Sequence, residues 1–327
     1  MKIGIIGFGK IGKIRYNTLI TLGQTVSHIY ETNLDIEVPL DAIRSNSIDD
    51  IINSDVDVII VCTPNNFNAQ YTIKSLEAGK HVFCEKPPAL NSDEIREVQK
   101  AEVASNRKLM YGFNHRHHRS IKKIKDLIDS NLYGDVVWIR GRYGKTVDVN
   151  YFDDWRCDIN KSGGGILIDQ GIHMLDLFLY LTGNFDEVHS FTSHKYWNKN
   201  IEDNVFMILK NNKTNVTADL HSTMANWRHL FSLEILLTNG YIVVNGLKTP
   251  SGSYGNEELT ISNKNECPNT TEEIKYVYSI DDSWKSEMSY FIDCINNDMP
   301  IANGNSQDAL AVMNIIDEVY KNDKERY

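Results

Sequence analysis

Residues 1–12 read Met-Lys-Ile-Gly-Ile-Ile-Gly-Phe-Gly-Lys-Ile-Gly, and that order sets the plan of the chain. Ile3, Ile5 and Ile6 make a short apolar run of the kind that fills a buried parallel strand. Gly7, Gly9 and Gly12 follow in the spacing G-x-G-x-x-G. Ile14, Tyr16, Leu19, Ile20 and Leu22 then recur at helical spacing, and Gly23 ends the run. A strand, a glycine turn and a helix in this order give the motif its meaning. Gly7 permits a tight turn, Gly9 lets backbone approach a pyrophosphate, and Gly12 lets helix and strand pack closely. The helix N-terminus presents N–H groups and a positive dipole end to the phosphates.

A second strand is expected over Thr25–Tyr30, closed by Glu31. A carboxylate about 20 residues beyond such glycines accepts hydrogen bonds from an adenosine ribose and repels a 2′-phosphate. Thr32 and Asn33 follow, with no Arg to hold that phosphate. NAD is therefore the expected cofactor, in preference to NADP.

Working outward, 327 residues are too many for one core to be the default, so two domains are expected. The net charge of −10 argues against nucleic acid as a partner. No apolar run approaches the ~20 residues of a membrane span, so no membrane is expected either. The five cysteines, at 62, 84, 157, 267 and 294, are scattered and form no C-x-x-C pair. With no leader ahead of the first strand, they suit a reducing cytoplasm.

Val56–Cys62 is a strong buried strand that Thr63-Pro64-Asn65 ends. A helix through Ala69–Ala78, a strand His81–Cys84, an amphipathic helix Leu90–Asn106 and a strand Leu109–Phe113 follow. This alternation predicts an α/β Rossmann domain, a doubly wound parallel sheet, over residues 1–115. Beyond it the texture changes. After a helix at Ser120–Ser130, strands predominate from Asp135 to Val244. They predict an α+β domain, residues 116–300, with a large open antiparallel sheet and helix 166–181 packed on it. The open face of such a sheet serves association. Residues 301–327 are expected to form a C-terminal helix packing back on the first domain.

Within 163–181, Asp169, His173, Asp176 and Tyr180 form one polar stripe on an otherwise apolar helix. Asp169 and His173, one turn apart, can touch, and a carboxylate beside an imidazole makes a general base. A structural Asp–His pair in a helix–sheet contact fits the same pattern. Lys86, after the strand ending at Cys84, stands at the sheet edge where a nicotinamide would lie. A lysine there stabilises an alkoxide as hydride leaves; a surface lysine before a proline gives the same letters.

Gly7-Phe-Gly-Lys-Ile-Gly12, Cys62-Thr-Pro64, Glu85-Lys86-Pro87 and Gly163-Gly-Gly-x-x-x-Asp169-x-Gly171-x-His173-x-x-Asp176 occur in this order. Together they resemble the glucose–fructose oxidoreductase / inositol dehydrogenase / rhizopine catabolism (Gfo/Idh/MocA) family over nearly the whole chain. The resemblance implies a nicotinamide-dependent oxidoreductase acting on a sugar, cyclitol or related alcohol. It implies a catalytic group at Lys86, Asp169 and His173, a cis Lys86–Pro87 bond, and subunits paired into dimers or tetramers through the open sheet. The cofactor contacts expected are Gly7, Phe8, Gly9, Lys10, Ile11, Gly12, Glu31, Cys62, Thr63, Pro64, Asn65, Glu85 and Lys86. Members often carry His where this chain has Asn68, which bears on the geometry near the cofactor.

Arg116, Tyr143, Trp155 and Arg156 are the expected substrate contacts, with Asp169 and His173. Trp155 suits the face of a sugar, and Arg156 or Lys145 a phosphate or carboxylate. His115, His117 and His118 have no carboxylate at ligand spacing, so no metal is expected. The leading reading is NAD-linked oxidation of a secondary alcohol on a sugar, cyclitol or sugar nucleotide. The alternatives are an NAD-dependent glycoside hydrolase on the same scaffold and a non-catalytic NAD-binding sensor.

Overall fold

The structure, a computed structural model, describes residues 1–263 and 272–323; Cys267 lies outside them. The chain divides into two units, the first made of Met1–Asn114 and Trp284–Met313, the second of His115–Ser283 and the rest.

The first unit opens with β1 (Lys2–Ile6), α1 (Lys10–Thr21), β2 (Thr25–Tyr30), β3 (Ile43–Arg44) and α2 (Ile48–Ile52). It continues with β4 (Val58–Val61), α3 (Asn65–Glu77), β5 (His81–Glu85), α4 (Ser92–Ser105) and β6 (Leu109–Gly112). The six strands are parallel in the order β3-β2-β1-β4-β5-β6. The strand order therefore reverses between β1 and β4, and ligands of open parallel sheets bind at that switch. Ile5 pairs with Ile60 and Ile29, and all three are fully buried. The unbroken apolar strands follow from helices covering both faces. Asn91 caps α4 by accepting from Glu94 N–H, and the Glu94 carboxylate returns a bond to Leu90 N–H.

The second unit holds α5 (Arg119–Asp129), β7 (Val136–Thr146), the single turn α6 (Ile159–Ser162) and α7 (Ile172–Thr182). The strands β8 (Glu187–Ser193), β9 (Asn204–Lys210), β10 (Thr217–Thr223) and β11 (Ala225–Leu237) follow. β12 (Gly240–Asn245), β13 (Glu257–Asn263) and β14 (Glu273–Tyr278) complete a sheet in the order β14-β13-β12-β11-β7-β10-β9-β8. The sheet is the large, mostly antiparallel one expected, with one parallel pairing, that of β10 with β7. Period-two alternation sorts its faces. Ile139, Met207, Leu220, Leu233 and Ile242 are buried, whereas Phe191, Phe206 and Ile208 stand exposed on the other side. A Cβ on Gly141 would lie 2.4 Å from Met174, so this glycine lets α7 lie close on the sheet.

The last helices are α8 (Ser283–Asn296) and α9 (Ser306–Asn322). The second domain was expected to run to residue 300, but α8 from Trp284 onward belongs with the parallel sheet. Met288, Phe291 and Ile292 join the core of Ile3, Ile5, Ile60 and Phe83, which explains the change. The C-terminal helix, expected on the first domain, is shared: residues up to Met313 belong to the first unit, Asn314 onward to the second.

Candidate active site

In the first unit the glycine turn is built as its spacing predicts. Gly7 has φ +88°, and a Cβ there would meet the Cys62 carbonyl oxygen at 2.5 Å. A Cβ on Gly12 would meet the Gly7 carbonyl at 2.1 Å, whereas one on Gly9 would meet nothing within 4 Å. The backbone of Gly9 thus borders open space at the start of α1, whose N-terminus no side chain caps. That cradle fits a pyrophosphate. Glu31 closes the other side. Its carboxylate accepts from Phe8 N–H at 2.7 Å and Asn33 N–H at 2.9 Å.

Glu85 ends β5, Lys86 and Pro87 follow it, and the Lys86–Pro87 bond is cis, as the resemblance implied. Glu85, expected at the cofactor, instead turns its carboxylate into the core. It accepts from Arg15 Nε at 2.6 Å, and Arg15 reaches Glu287 on α8 at 2.7 Å. The buried guanidinium lies between the rings of Phe83 and Trp284, at 4.4 and 4.5 Å. A fully buried Arg requires such partners, because an unpaired charge there is costly. Asn68, buried on α3, accepts from the Thr63 hydroxyl and donates to the Pro87 carbonyl, each at 2.8 Å.

In the second unit the triple glycine has a steric cause. Gly163 ends α6 with φ +79°. A Cβ on Gly164 would lie 2.0 Å from the Tyr320 hydroxyl, and one on Gly165 would lie 2.1 Å from the Glu202 carbonyl. The Glu202 carboxylate accepts from Gly165 N–H, Leu167 N–H and the Tyr320 hydroxyl, at 2.8, 3.0 and 2.7 Å. An anion on these N–H groups stabilises the start of a helix. The next residues, Leu167–Gly171, form a π-turn before α7 begins, where a regular α-helix was expected. Such turns insert a residue and re-aim side chains at functional positions.

Asp169 sits on that turn. Its Oδ2 accepts from Lys145 Nζ at 2.6 Å and from the Tyr151 hydroxyl at 3.3 Å, and Arg156 Nε is 4.0 Å from Oδ1. Lys145 thus meets a carboxylate, but one of the protein's own. Burial and then the Asp169 charge push the Tyr151 phenol well up, so it stays protonated and donates. His173 is buried on α7 with its ring stacked on His115, centroids 3.8 Å apart and planes 18° apart. His115 Nε2 is 3.1 Å from the Tyr143 hydroxyl. Tyr143 is also edge-on to Phe231, so this expected substrate contact is itself nearly buried.

Two expectations change here. Arg116 is 2% exposed, and its fork is committed to Asp176 through bonds of 2.8 and 2.6 Å. It braces α7 in place of meeting substrate. Asp176 accordingly leaves the polar stripe as a structural ion pair. Trp155 lies under the Arg156 guanidinium at 4.5 Å, which occupies one ring face. Tyr151, Glu202, Gln170 and Tyr254 carried no sequence signal, yet the Tyr254 hydroxyl accepts from Gln170 beside Asp169 at 3.0 Å. Lys86 belongs to the first unit; Asp169 and His173 belong to the second. Among the described residues no group of three His, Cys, Asp or Glu is placed to hold a metal.

A glycine-cradle Rossmann unit followed by an open-sheet α+β unit defines a class of two-domain, dinucleotide-binding oxidoreductases. Residues 1–113 match the oxidoreductase family with NAD-binding Rossmann fold, and residues 121–243 match the GFO/IDH/MocA C-terminal domain. The chain belongs to the Gfo/Idh/MocA family, and its first domain is an NAD-binding Rossmann domain. A D-glucoside 3-dehydrogenase of Escherichia coli K12 is 36% identical over 142 residues, 43% of this chain and 39% of that protein. The myo-inositol 2-dehydrogenase of Thermotoga maritima is 30% identical over 196 residues, 56% of this chain and 55% of that one. The chain thus matches from two fifths to just over half the length of these relatives. A levoglucosan dehydrogenase in complex with NADH and levoglucosan shares the fold, with TM-score 0.87 and 21% identity, covering 100% of this chain and 98% of that one.

Proposed function

We propose that this chain catalyses NAD-linked hydride transfer at a secondary alcohol of a sugar, cyclitol or sugar nucleotide. One observation carries the reading. A half-buried carboxylate, Asp169, is held by Lys145 and Tyr151 on a π-turn, four residues before a buried imidazole. His173 takes the hydroxyl proton, its plane fixed by the His115 ring. Asp169 supplies the negative charge that favours an imidazolium. Lys86 donates a hydrogen bond to the same oxygen and stabilises its developing charge. A bound nicotinamide would supply the hydride acceptor. The glycine cradle and Glu31 hold the dinucleotide, and the Glu31 carboxylate favours NAD over NADP.

The test is an absorbance screen for NADH production with polyols, free sugars and sugar nucleotides. His173→Ala and Lys86→Ala are each expected to lose about 10²–10⁴ in kcat with little change in NADH affinity. Near-normal turnover in both variants overturns the assignment. Glycoside cleavage without net NADH would favour the hydrolase reading. NADH binding with no turnover across the panel would favour the sensor.

Pairing of subunits through the outer face of the sheet, into dimers or tetramers, is part of this reading. Exposed Phe191, Phe206 and Ile208 beside the Arg140–Asp219 ion pair support it. Sedimentation as a monomer at assay concentration would remove it. A cytoplasmic location belongs to it too: Cys62, Cys84, Cys157 and Cys294 are unbridged thiols, and no described helix is long and apolar enough to cross a membrane. A mature N-terminus beyond Met1, found after fractionation, would argue against it.

A further inference from the structure

We propose that Asn68 is the positioning residue of Lys86, a role that rests on the function assigned to Lys86 above. Thr63 follows the end of β4, and Pro87 follows the end of β5 by two residues. One buried amide joins them. Asn68 Oδ1 accepts from Thr63 Oγ1 at 2.8 Å; Nδ2 donates to the Pro87 carbonyl at 2.8 Å and faces the Glu85 carbonyl at 3.4 Å. The donor therefore grips the backbone on both sides of Lys86, and the acceptor ties that grip to the neighbouring strand. Asn68 is 0% exposed, so no water competes for these bonds. Glu85 is fixed independently through its carboxylate by Arg15. The backbone that carries Lys86 is thus held from α1 and from α3 at once, and only the Asn68 hold reaches Pro87.

The experiment reads Lys86 directly, without needing a substrate. The full chain, saturated with NADH, is treated with pyridoxal 5′-phosphate and borohydride, and modification of each lysine is followed by mass spectrometry. Asn68→Asp keeps the shape and the acceptor but loses both donors. It should change the rate at Lys86 about tenfold while Lys80 and Lys108 keep theirs, and Asn68→His, with one donor and one acceptor, should recover most of it. With the best substrate of the screen, Asn68→Asp should lower kcat by about 10- to 100-fold and leave KM for NAD nearly unchanged. In a Lys86→Ala background the same substitution should cost nothing further. Should Asn68→Asp fail to fold, Thr63→Val removes only the hydroxyl that orients the amide and should shift Lys86 in the same direction. An unchanged rate at Lys86, or an equal change at all three lysines, overturns the proposal. Lys86→Ala turnover, measured alongside, tests the parent reading separately.

Discussion

At Glu31 one carboxylate holds two backbone N–H groups, those of Phe8 and Asn33. It therefore shapes the glycine turn, in addition to the ribose contact proposed for it. Glu31→Ser is expected to weaken NAD binding by about 1.5–3 kcal/mol, the scale of a charge-assisted hydrogen bond. NADP binding should weaken much less, since the repulsion of a 2′-phosphate goes too. Fluorescence titration of both cofactors checks this, and unchanged discrimination would sink the role of Glu31. This part of the site was legible in the sequence because it is local: glycines, helix and carboxylate fall within 31 residues. Glu85 was misplaced for the opposite reason. Its partner Arg15 is 70 residues away, and no spacing rule announces a buried Arg shared by two carboxylates. The same holds for Arg116 and Asp176, 60 residues apart. A polar stripe on an apolar helix looks alike whether it lines a cavity or closes an ion pair.

At the level of elements, the Gly163–Gly165 run shows how close approach can masquerade as flexibility. Gly165 has no Cβ because Glu202 backbone occupies that place, 2.1 Å away. Gly165→Ala is expected to destabilise the protein by about 1–3 kcal/mol, as overpacking does, and to raise amide exchange over residues 164–172. A thermal melt and hydrogen exchange measure the two effects, and an unshifted melt would refute the steric account. The strands of the second sheet were legible by their period of two. β13 and β14 were not: a Gly-, Ser- and Asn-rich stretch precedes one, and the other is exposed along most of its length. The parallel pairing of β7 with β10 was also hidden, because strand order depends on contacts that no single strand encodes. The π-turn escaped for a similar reason, since Leu167 and Ile168 continue the apolar pattern of α7 and no residue type marks the extra one.

Across the whole molecule, acid sensitivity has an identifiable source. Burial pushes the Glu257 carboxyl up, but hydrogen bonds from His118 at 2.7 Å and from Ser120 N–H at 2.9 Å outweigh it and hold it below its ordinary value. A depressed folded-state pKa means stability that is present above the ordinary carboxylate range. That stability is lost as pH falls through the folded value. Melting temperature should therefore drop from about pH 4.5 downward. Glu257→Gln should flatten that decline while lowering stability near neutrality. An identical acid limb in the variant would locate the sensitivity elsewhere. The division into two units, with α8 returning to the first, has its own physical reason. Its apolar side completes the core that the six-stranded sheet begins, and a helix that starts 171 residues after the end of β6 carries no local sign of that destination.

The π-turn at 167–171 gives the site two registers that can change separately. Deleting one residue there, Gln170 for example, would restore a plain α-helix. Everything after the cut would keep its seat against the sheet. The carboxylate ahead of it would swing by about 100° around the axis, the rotation of one helical step. On the proposed mechanism, a chain of this build can thus lose or regain its negative group by a one-codon length change while its imidazole stays in place, so insertions and deletions, and not substitutions alone, can retune such a site.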